Sequence, residues 1–244
     1  MSSLDRKVAL VTGVTRREGI GAAVALALAR AGADVGTAYY RPYDRTMPWS
    51  VKDSEPDEIV AGLRATGVRA HGFEIDLGEP DGPSTLFQLT REQFGHVDIL
   101  VNNAAYSTEV TVDGMRVEDL DRHYAVNLRA VMLLCAEFVR FFPDGGAGRI
   151  VNLTSGQGLG PLPNELAYAA AKGGVDAFTL SLSAAVARRG IPGWMNKDLR
   201  ESLAANSPMG RLGMPLDAAR LIVFLASEEG QWVTGQVIRS RGSS

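Results

Sequence analysis

KVALVTGVTRREGIG, residues 7–21, is the stretch that decides the fold of this chain. Residues 7–12 are a short apolar run of the kind that forms buried parallel strands. Residues 22–31 are rich in alanine and leucine, which favours a helix. A second apolar run, residues 33–39, follows directly. Strand, glycine-rich loop, helix and strand in this order predict a βαβ unit.

The loop of residues 13–21 contains three glycines, which let the backbone approach a pyrophosphate closely. The start of the helix behind it presents free N–H groups and the positive end of the helix dipole. We therefore predict that the loop binds a dinucleotide; the alternative is a purely structural loop. The residues assigned to this contact are Gly13, Thr15, Arg16, Arg17, Gly19 and Ile20.

The residues at the end of the second strand indicate which dinucleotide, NAD or NADP, the loop would bind. Folds that bind NAD usually place an acidic residue about 20 positions after the loop, but this chain has Tyr39, Tyr40 and Arg41 there. With Arg16 and Arg17, Arg41 would offer positive charge to a 2′-phosphate. We therefore expect NADP(H) to be preferred, with NAD(H) possible, and assign Tyr39 and Arg41 to the site. The alternative is that these arginines are solvated loop residues.

Apolar strands and helices continue to alternate along the chain. This pattern predicts an α/β fold with a doubly wound, mainly parallel sheet and helices on both faces, in three layers. We expect a single domain over residues 1–244. The predicted helices cover residues 57–66, 83–94, 117–142, 165–189 and 215–227, and the remaining strands cover residues 68–75, 97–101 and 148–154. The proline-bearing segment 41–56 either borders the active site or an adenosine pocket, or decorates the surface.

Ligands bind at the carboxyl ends of the strands in open α/β sheets. After the third strand we assign Asp76 and Leu77 to the cofactor. After the fourth strand, side-chain amides either satisfy neighbouring strand ends or line a ligand cleft, and we assign Asn103, Ala104 and Ala105 to the cofactor. Asn127 lies in the middle of a predicted helix, where asparagine is locally unfavourable. Asn127 is therefore a candidate for a special role, with a solvent-facing asparagine as the alternative.

Tyr168 and Lys172 lie four residues apart in an alanine-rich run, so a helix would place them on the same face. Two unit charges about 4 Å apart interact by roughly 4 kcal/mol at an effective dielectric constant of about 20. An ammonium at that distance would lower the tyrosine pKa from about 10 to about 7, where general acid/base catalysis works best. Ser155 precedes Tyr168 by 13 residues, a gap that a loop can fold back across. The alternative is a chance pair on a surface helix.

The composition argues against several functions. A formal net charge of −3 on 244 residues does not suggest the clustered basic surface that nucleic acid requires. No run of about 18 apolar residues and no signal peptide is present, so we expect no membrane partner and a cytoplasmic location. Cys135 is the only cysteine, and His71, His96 and His123 lack ligand spacing. We therefore predict no metal and a buried, structural Cys135 thiol.

The quoted motifs form one ordered set over nearly the whole chain: Thr12-Gly13 with Gly19 and Gly21, Asp76, Asn102-Asn103-Ala104, Asn127, Ser155, and Tyr168 with Lys172. In this order and spacing the chain resembles the classical short-chain dehydrogenase/reductase family, in particular its 3-oxoacyl-acyl-carrier-protein reductases. The resemblance implies a Rossmann-type fold and four catalytic residues.

In the roles implied by the resemblance, Tyr168 protonates the carbonyl oxygen as hydride arrives from the nicotinamide, and Ser155 hydrogen-bonds the same oxygen. Lys172 lowers the pKa of Tyr168 and binds the nicotinamide ribose. Asn127 holds a water that relays protons from solvent. Asp76 meets the adenine, and the segment after the fourth strand lines the cofactor cleft.

Three features depart from the family pattern. Five residues separate Gly13 from Gly19, where three are common. This spacing is also similar to enoyl reductases, but they usually place six residues between the tyrosine and the lysine, so the gap of three here favours carbonyl chemistry. The ending, residues 239–244, differs from the usual one. A homo-oligomer, tetramer or dimer, is expected from the related enzymes.

The third departure is at Ile191-Pro192, where the family has a sixth strand. Losing a central strand would leave backbone groups of its neighbours unpaired. Either about ten residues are missing from the sequence at this point, which we favour, or the chain is a damaged, inactive member. A distance between the two Cα atoms much longer than about 3.8 Å would indicate missing residues.

We therefore predict an NADP(H)-dependent oxidoreductase that reduces a ketone to a secondary alcohol, with a 3-oxoacyl thioester or similar ketone as the leading substrate. One alternative is an NAD-dependent alcohol dehydrogenase of the same family. The other is a dinucleotide-binding protein without turnover. The absence of a sixth strand at Ile191-Pro192 favours this alternative, whereas the presence of Ser155, Tyr168 and Lys172 argues against it.

Overall fold

The computed structural model describes residues 4–49, 52–143, 148–156, 160–186 and 215–230, together with residues 233, 236 and 238. Within these residues, five strands form a parallel sheet in the order β3-β2-β1-β4-β5. The strands are β1 Val8–Thr12, β2 Asp34–Tyr39, β3 Ala70–Glu74, β4 Ile99–Asn102 and β5 Arg149–Asn152. The chain runs outward from β1 to β3, returns to the other side of β1 and continues to β5. The predicted doubly wound α/β fold is confirmed.

Helices connect the strands and cover both faces of the sheet. They are α1 Ile20–Arg30, α2 Arg41–Asp44, α3 Glu55–Arg64, α4 Gly82–Phe94, α5 Val117–Tyr124, α6 Ala130–Phe141, α7 Leu166–Val186 and α8 Pro215–Ala226. The long helix predicted over residues 117–142 is present as α5 and α6, joined by a π-helical turn, Ala125–Arg129. That turn carries Asn127.

The core explains the three layers. Successive side chains of a strand point to opposite faces of the sheet. Ala9 and Val11 of β1 therefore join the cluster formed with α1, α3 and α8. Val8 and Leu10 join the cluster formed with α4, α6 and α7. Because β1 is buried on both faces, its sequence is a continuous apolar run rather than an alternating one.

The strand order places a crevice at the carboxyl ends of β1 and β4. The chain leaves β1 toward β2 on one side, whereas β4 lies on the other side, and ligands bind at such topological switch points. The Ile191-Pro192 junction, where the family has a sixth strand, lies outside the described residues. The ending over residues 239–244 and the end of the predicted helix over residues 165–189 also lie outside them.

Candidate active site

The glycine loop lies against the segment that follows β4. Gly13 has a φ of 74°, and a Cβ atom on it would lie 2.7 Å from the Cα atom of Ala104. The Asn103 side-chain amide donates to the carbonyl oxygens of Thr12 at 2.8 Å and Gly13 at 3.0 Å. The Thr12 hydroxyl oxygen accepts the backbone N–H groups of Asn103 and Ala104, each at 3.0 Å. These contacts hold the ends of β1 and β4 together and leave no room for a side chain at residue 13.

A cavity of about 290 Å³ lies at the carboxyl ends of β1, β2, β3 and β4. Most residues assigned to the cofactor from the sequence line it: Gly13, Thr15, Arg16, Gly19, Ile20, Tyr39, Asp76, Leu77, Asn103, Ala104 and Ala105. Its walls also contain residues that were not assigned from the sequence: Gly21, Ala38, Tyr40, Tyr43, Asp44, Trp49, Ile75, Tyr106, Ser107, Arg122 and Val126. The residues assigned to the cofactor that do not line this cavity are Arg17, Arg41, Tyr168 and Lys172.

Arg41 does not line the cavity, although its guanidinium lies 4.8 Å from the ring centroid of Tyr39, which does. Its guanidinium binds the Glu74 carboxylate, lies 3.8 Å from the Asp57 carboxylate and donates to the Asp53 carbonyl oxygen at 3.1 Å. Two carboxylates therefore neutralise the charge that was expected to attract a 2′-phosphate. This weakens the argument for Arg41 at a 2′-phosphate, because its partners Glu74 and Asp57 come from elements distant in the sequence.

Arg17 and Arg16 have different surroundings although they are neighbours in the glycine loop. Arg17 is exposed and pairs with Glu58 at 3.1 Å, so it also does not reach the cavity. Arg16 lines the cavity, and its guanidinium lies 4.3 Å from the ring centroid of Trp49. Of the three arginines proposed for a 2′-phosphate, Arg16 is the one that the structure places at the cavity.

Asp76 lines the cavity at the end of β3, and its carboxylate has partners of its own. It accepts hydrogen bonds from Arg122 Nη2 at 2.9 Å and from the Gly78 N–H at 2.7 Å, and it is hydrogen-bonded to the Tyr40 hydroxyl. Arg122 lies on α5 and also lines the cavity. The residue predicted to meet adenine therefore also fixes α5 to the end of β3.

The segment 41–49 crosses the crevice. The Tyr43 hydroxyl oxygen accepts the Ser107 N–H at 3.1 Å, and the ring centroids of Tyr43 and Tyr106 are 5.2 Å apart. Tyr43 follows β2 and Ser107 follows β4, and these strands flank β1, so the contact passes over the end of β1. Segment 41–49 therefore borders the cavity through Tyr43, Asp44 and Trp49, whereas residues 52–54 are exposed and do not line it.

Tyr168, Ser155 and Lys172 lie together. The Tyr168 and Ser155 hydroxyls are hydrogen-bonded, and the Lys172 ammonium nitrogen is 5.7 Å from the centroid of the Tyr168 ring. Lys172 Nζ also donates to the Leu153 carbonyl oxygen at 2.9 Å. Tyr168 is close enough to Tyr43 for its charge to affect the pKa of that phenol. Leu153 follows β5, which pairs with β4, so the predicted catalytic group lies at the same edge of the sheet as the cavity, although none of its three residues lines the cavity.

The pKa of Tyr168 does not shift as expected. Burial raises it, and the hydrogen bond with Ser155 offsets only part of this effect. Burial also lowers the pKa of Lys172 to about 8, a change that Asp176 opposes. The expected lowering of the Tyr168 pKa is therefore wrong for the chain alone, because burial disfavours the charged form of both groups.

Asn127 is fully buried in the π-helical turn, so the solvent-facing alternative is wrong. Its side-chain amide donates to the Tyr106 carbonyl oxygen at 2.7 Å and accepts the Tyr106 N–H at 2.8 Å. Asn127 thus fixes the segment after β4 to the α5–α6 region. One N–H and one lone pair of the carboxamide remain for the predicted water.

The Cys135 thiol is fully buried, and burial raises its pKa to about 12. The Asn102 side-chain amide donates to Cys135 Sγ at 3.4 Å and to Asn152 Oδ1 at 2.7 Å. The prediction of a buried structural thiol is confirmed.

The parallel sheet, the glycine loop and the cavity at the switch point define a Rossmann-type α/β protein. The family model described as Enoyl-(Acyl carrier protein) reductase matches residues 13–242. The chain belongs to the short-chain dehydrogenase/reductase family of oxidoreductases, as the ordered motifs had indicated. In the described part of the chain, no helix has the length and apolarity needed to cross a membrane.

Curated relatives match the chain along almost its whole length. "Uncharacterized oxidoreductase YjdA" of Bacillus subtilis (strain 168) is 41% identical over 255 residues, which cover 99% of this chain and 98% of the relative. A 3-oxoacyl-[acyl-carrier-protein] reductase of Synechocystis sp. is 32% identical over 254 residues, with 99% and 98% covered. Both alignments are longer than the 244 residues of this chain, so both relatives contain residues without a counterpart here.

Among solved structures, the landomycin C-6 ketoreductase LanV with bound NADP and rabelomycin is 31% identical to this chain, with a TM-score of 0.80. The match covers 99% of this chain and 97% of LanV.

Proposed function

We propose that this protein is an NADP(H)-dependent reductase that converts a ketone to a secondary alcohol. The observation that carries the proposal is the hydrogen-bonded pair of Tyr168 and Ser155 hydroxyls with Lys172 beside it. This group lies after β5, at the same edge of the sheet as the cavity built on the glycine loop. Membership of an oxidoreductase family and the NADP bound to LanV support it.

The cavity residues fit a dinucleotide. At Gly13 the absence of a side chain lets the loop and the segment after β4 approach each other, and α1 begins directly behind the loop at Ile20. The backbone N–H groups there would hold a pyrophosphate. Asn103 fixes the loop, and Asp76 and Leu77 would border the adenine. A bound nicotinamide dinucleotide would supply the hydride.

Residues of α7 and of the segment after β5 would transfer and stabilise charge at the substrate oxygen. Tyr168 would donate its hydroxyl proton to the carbonyl oxygen of the substrate, and Ser155 would hydrogen-bond the same oxygen and stabilise its developing negative charge. Because burial raises the pKa of Tyr168, the phenol is protonated at neutral pH and is suited to act as the acid in reduction. Lys172 would bind the nicotinamide ribose, and Asn127 would hold the water that reprotonates the site.

The leading substrate remains a 3-oxoacyl thioester or a similar ketone. The name of the Synechocystis relative supports the thioester, whereas LanV is described as a ketoreductase with bound rabelomycin. The two share the reduction of a ketone, which is the chemistry that we propose for this chain.

Replacement of Tyr168 by phenylalanine tests the mechanism. Tyr168→Phe removes the proton donor but keeps the ring, so NADPH consumption with a panel of ketones should fall by a factor of at least about 10². NADPH binding, measured by calorimetry, should persist. Tyr124→Phe is the matched control, because Tyr124 is an exposed tyrosine on α5. Turnover by Tyr168→Phe at the wild-type rate would remove the proposed mechanism.

One observation favours the second candidate, NAD-dependent alcohol oxidation. Asp44 lines the cavity close to the end of β2, and Arg41 there is neutralised by carboxylates. A carboxylate in this region would suit a ribose hydroxyl and oppose a 2′-phosphate. Comparing turnover with NADPH and NADH separates the two candidates, and a clear preference for NADH would overturn the assignment to NADP(H). The junction that motivated a binding protein without turnover lies outside the described residues.

We also propose a homo-oligomer, dimer or tetramer. Helix α6 exposes Met132 and Leu133, and α8 exposes Phe224. Burial of these side chains between subunits would remove apolar surface from water. Light scattering during gel filtration measures the mass, and a monomer at micromolar concentration would contradict the proposal.

A further inference from the structure

Arg16 differs from the other arginines near the cavity. Arg17 pairs with Glu58 and Arg41 pairs with Glu74, whereas Arg16 forms no ion pair with any residue that the structure describes. Its guanidinium lies 4.3 Å from the centroid of the Trp49 ring. A guanidinium stacked on an aromatic face is restrained in orientation, while its N–H edge stays available for an anion.

Trp49 is itself held in place. Its indole N–H donates to the Asp44 carboxylate at 3.1 Å, and Asp44 is 8% exposed and ends α2. Arg16, Trp49 and Asp44 all line the cavity. The three side chains therefore connect the glycine loop after β1 to the segment after β2.

We propose that Trp49 is a positioning residue for the 2′-phosphate of the coenzyme: its indole face directs the Arg16 guanidinium into the cavity, and Asp44 orients the indole. This inference rests on the proposed function, because it requires an adenine dinucleotide in this cavity. Tyr39 and Tyr40, at the end of β2, line the same cavity. In folds of this type the ribose 2′ position is recognised at that strand end. A 2′-phosphate would gain charge-assisted hydrogen bonds from Arg16 that a 2′-hydroxyl would not gain to the same extent.

Calorimetry with two nucleotide probes tests the inference without turnover. The probes are adenosine 2′,5′-bisphosphate and adenosine 5′-monophosphate, which differ in the 2′-phosphate. The wild-type protein should bind the bisphosphate at least about tenfold more tightly. Arg16→Gln should abolish this preference, and Trp49→Leu should reduce it about three- to tenfold. Trp49→Phe keeps an aromatic face and should retain more of the preference than Trp49→Leu.

Two variants serve as controls. Arg17→Gln removes the neighbouring arginine, which does not line the cavity, and should leave the preference unchanged. Asp44→Asn removes a negative charge but keeps an oxygen acceptor for the indole, so it should retain or increase the preference. Unchanged affinity for the monophosphate in each variant shows that the cavity is folded.

The outcomes separate this inference from the proposed function. If the wild-type protein binds neither probe, the dinucleotide site itself is refuted. If it binds both equally, only the role given to Arg16 and Trp49 is refuted. If Trp49→Leu prefers the bisphosphate as strongly as the wild type does, the positioning role of Trp49 is refuted. The role is also refuted if Arg17→Gln loses as much of that preference as Arg16→Gln.

Discussion

Replacement of Lys172 by methionine should change how the free energy of unfolding depends on pH. Lys172 is 2% exposed, and burial lowers its pKa from the ordinary value of 10.5 to about 8. Each pKa unit corresponds to about 1.4 kcal/mol, so burial of the ammonium form opposes folding by about 3 kcal/mol below pH 8. The hydrogen bond to the Leu153 carbonyl oxygen does not remove this opposition.

The sign follows from proton binding. Between pH 8 and 10.5 the folded protein loses the Lys172 proton while the unfolded chain keeps it, so the free energy of unfolding rises with pH. The buried Cys135 thiol, whose pKa is raised to about 12, has the opposite effect above pH 9. Cys135 is present in both proteins, so its contribution cancels in the difference between wild type and Lys172→Met.

Urea unfolding followed by circular dichroism from pH 7 to 10 measures this difference. The stability of the wild type relative to Lys172→Met should rise by more than about 2 kcal/mol over that range. Lys52→Met is the matched control, because Lys52 is exposed, and its difference from wild type should not change with pH. A constant difference for Lys172→Met would show that burial does not destabilise the ammonium form.

Two further changes test the geometry of the crevice. Gly13→Ala should lower the free energy of unfolding by about 2–5 kcal/mol, because it combines a positive φ with a 2.7 Å contact to Ala104. Gly67→Ala, with a φ of 98° and no atom within 4 Å of its Cβ position, should cost only about 1–2 kcal/mol, and equal losses in urea unfolding would contradict the contact argument. Tyr43→Phe removes the hydrogen bonding with Ser107 across the crevice, worth about 1 kcal/mol, so NADPH should associate about fivefold faster in stopped-flow fluorescence. An unchanged association rate would show that this contact does not limit entry.

Local patterns predicted the five strands and most of the helices, because neighbours in the sequence largely determine them, but they did not predict the short helix α2. The apolar run of β1 and the glycine loop specify a strand and a tight turn through backbone sterics and the period of the side chains. The four-residue spacing of Tyr168 and Lys172 places them on one face of α7, and this depends only on the geometry of the helix. The π-helical turn at Asn127 was signalled only as an unfavourable residue within a helix.

The tertiary structure decided which of these residues are available for chemistry. From the sequence, Arg16 and Arg41 are equivalent candidates for a phosphate. Arg41 is neutralised because folding brings Glu74 from β3 and Asp57 from α3 to it, whereas Arg16 lines the cavity with Trp49 against its guanidinium. The sequence signal for Trp49 was an aromatic residue after Pro48 in a long connection. That signal does not show whether the residue lines a cavity or lies on the surface.

By itself, therefore, the sequence determined the strand and helix order, the family and the set of polar side chains at the carboxyl edge of the sheet. The fold determined which of these side chains are paired with opposite charges and how burial shifts their pKa values. The direction of the Tyr168 pKa shift depends on how much water burial removes from the phenol, and burial is a property of the packed molecule. Contacts between residues dozens of positions apart form only once the sheet has brought the ends of its strands together.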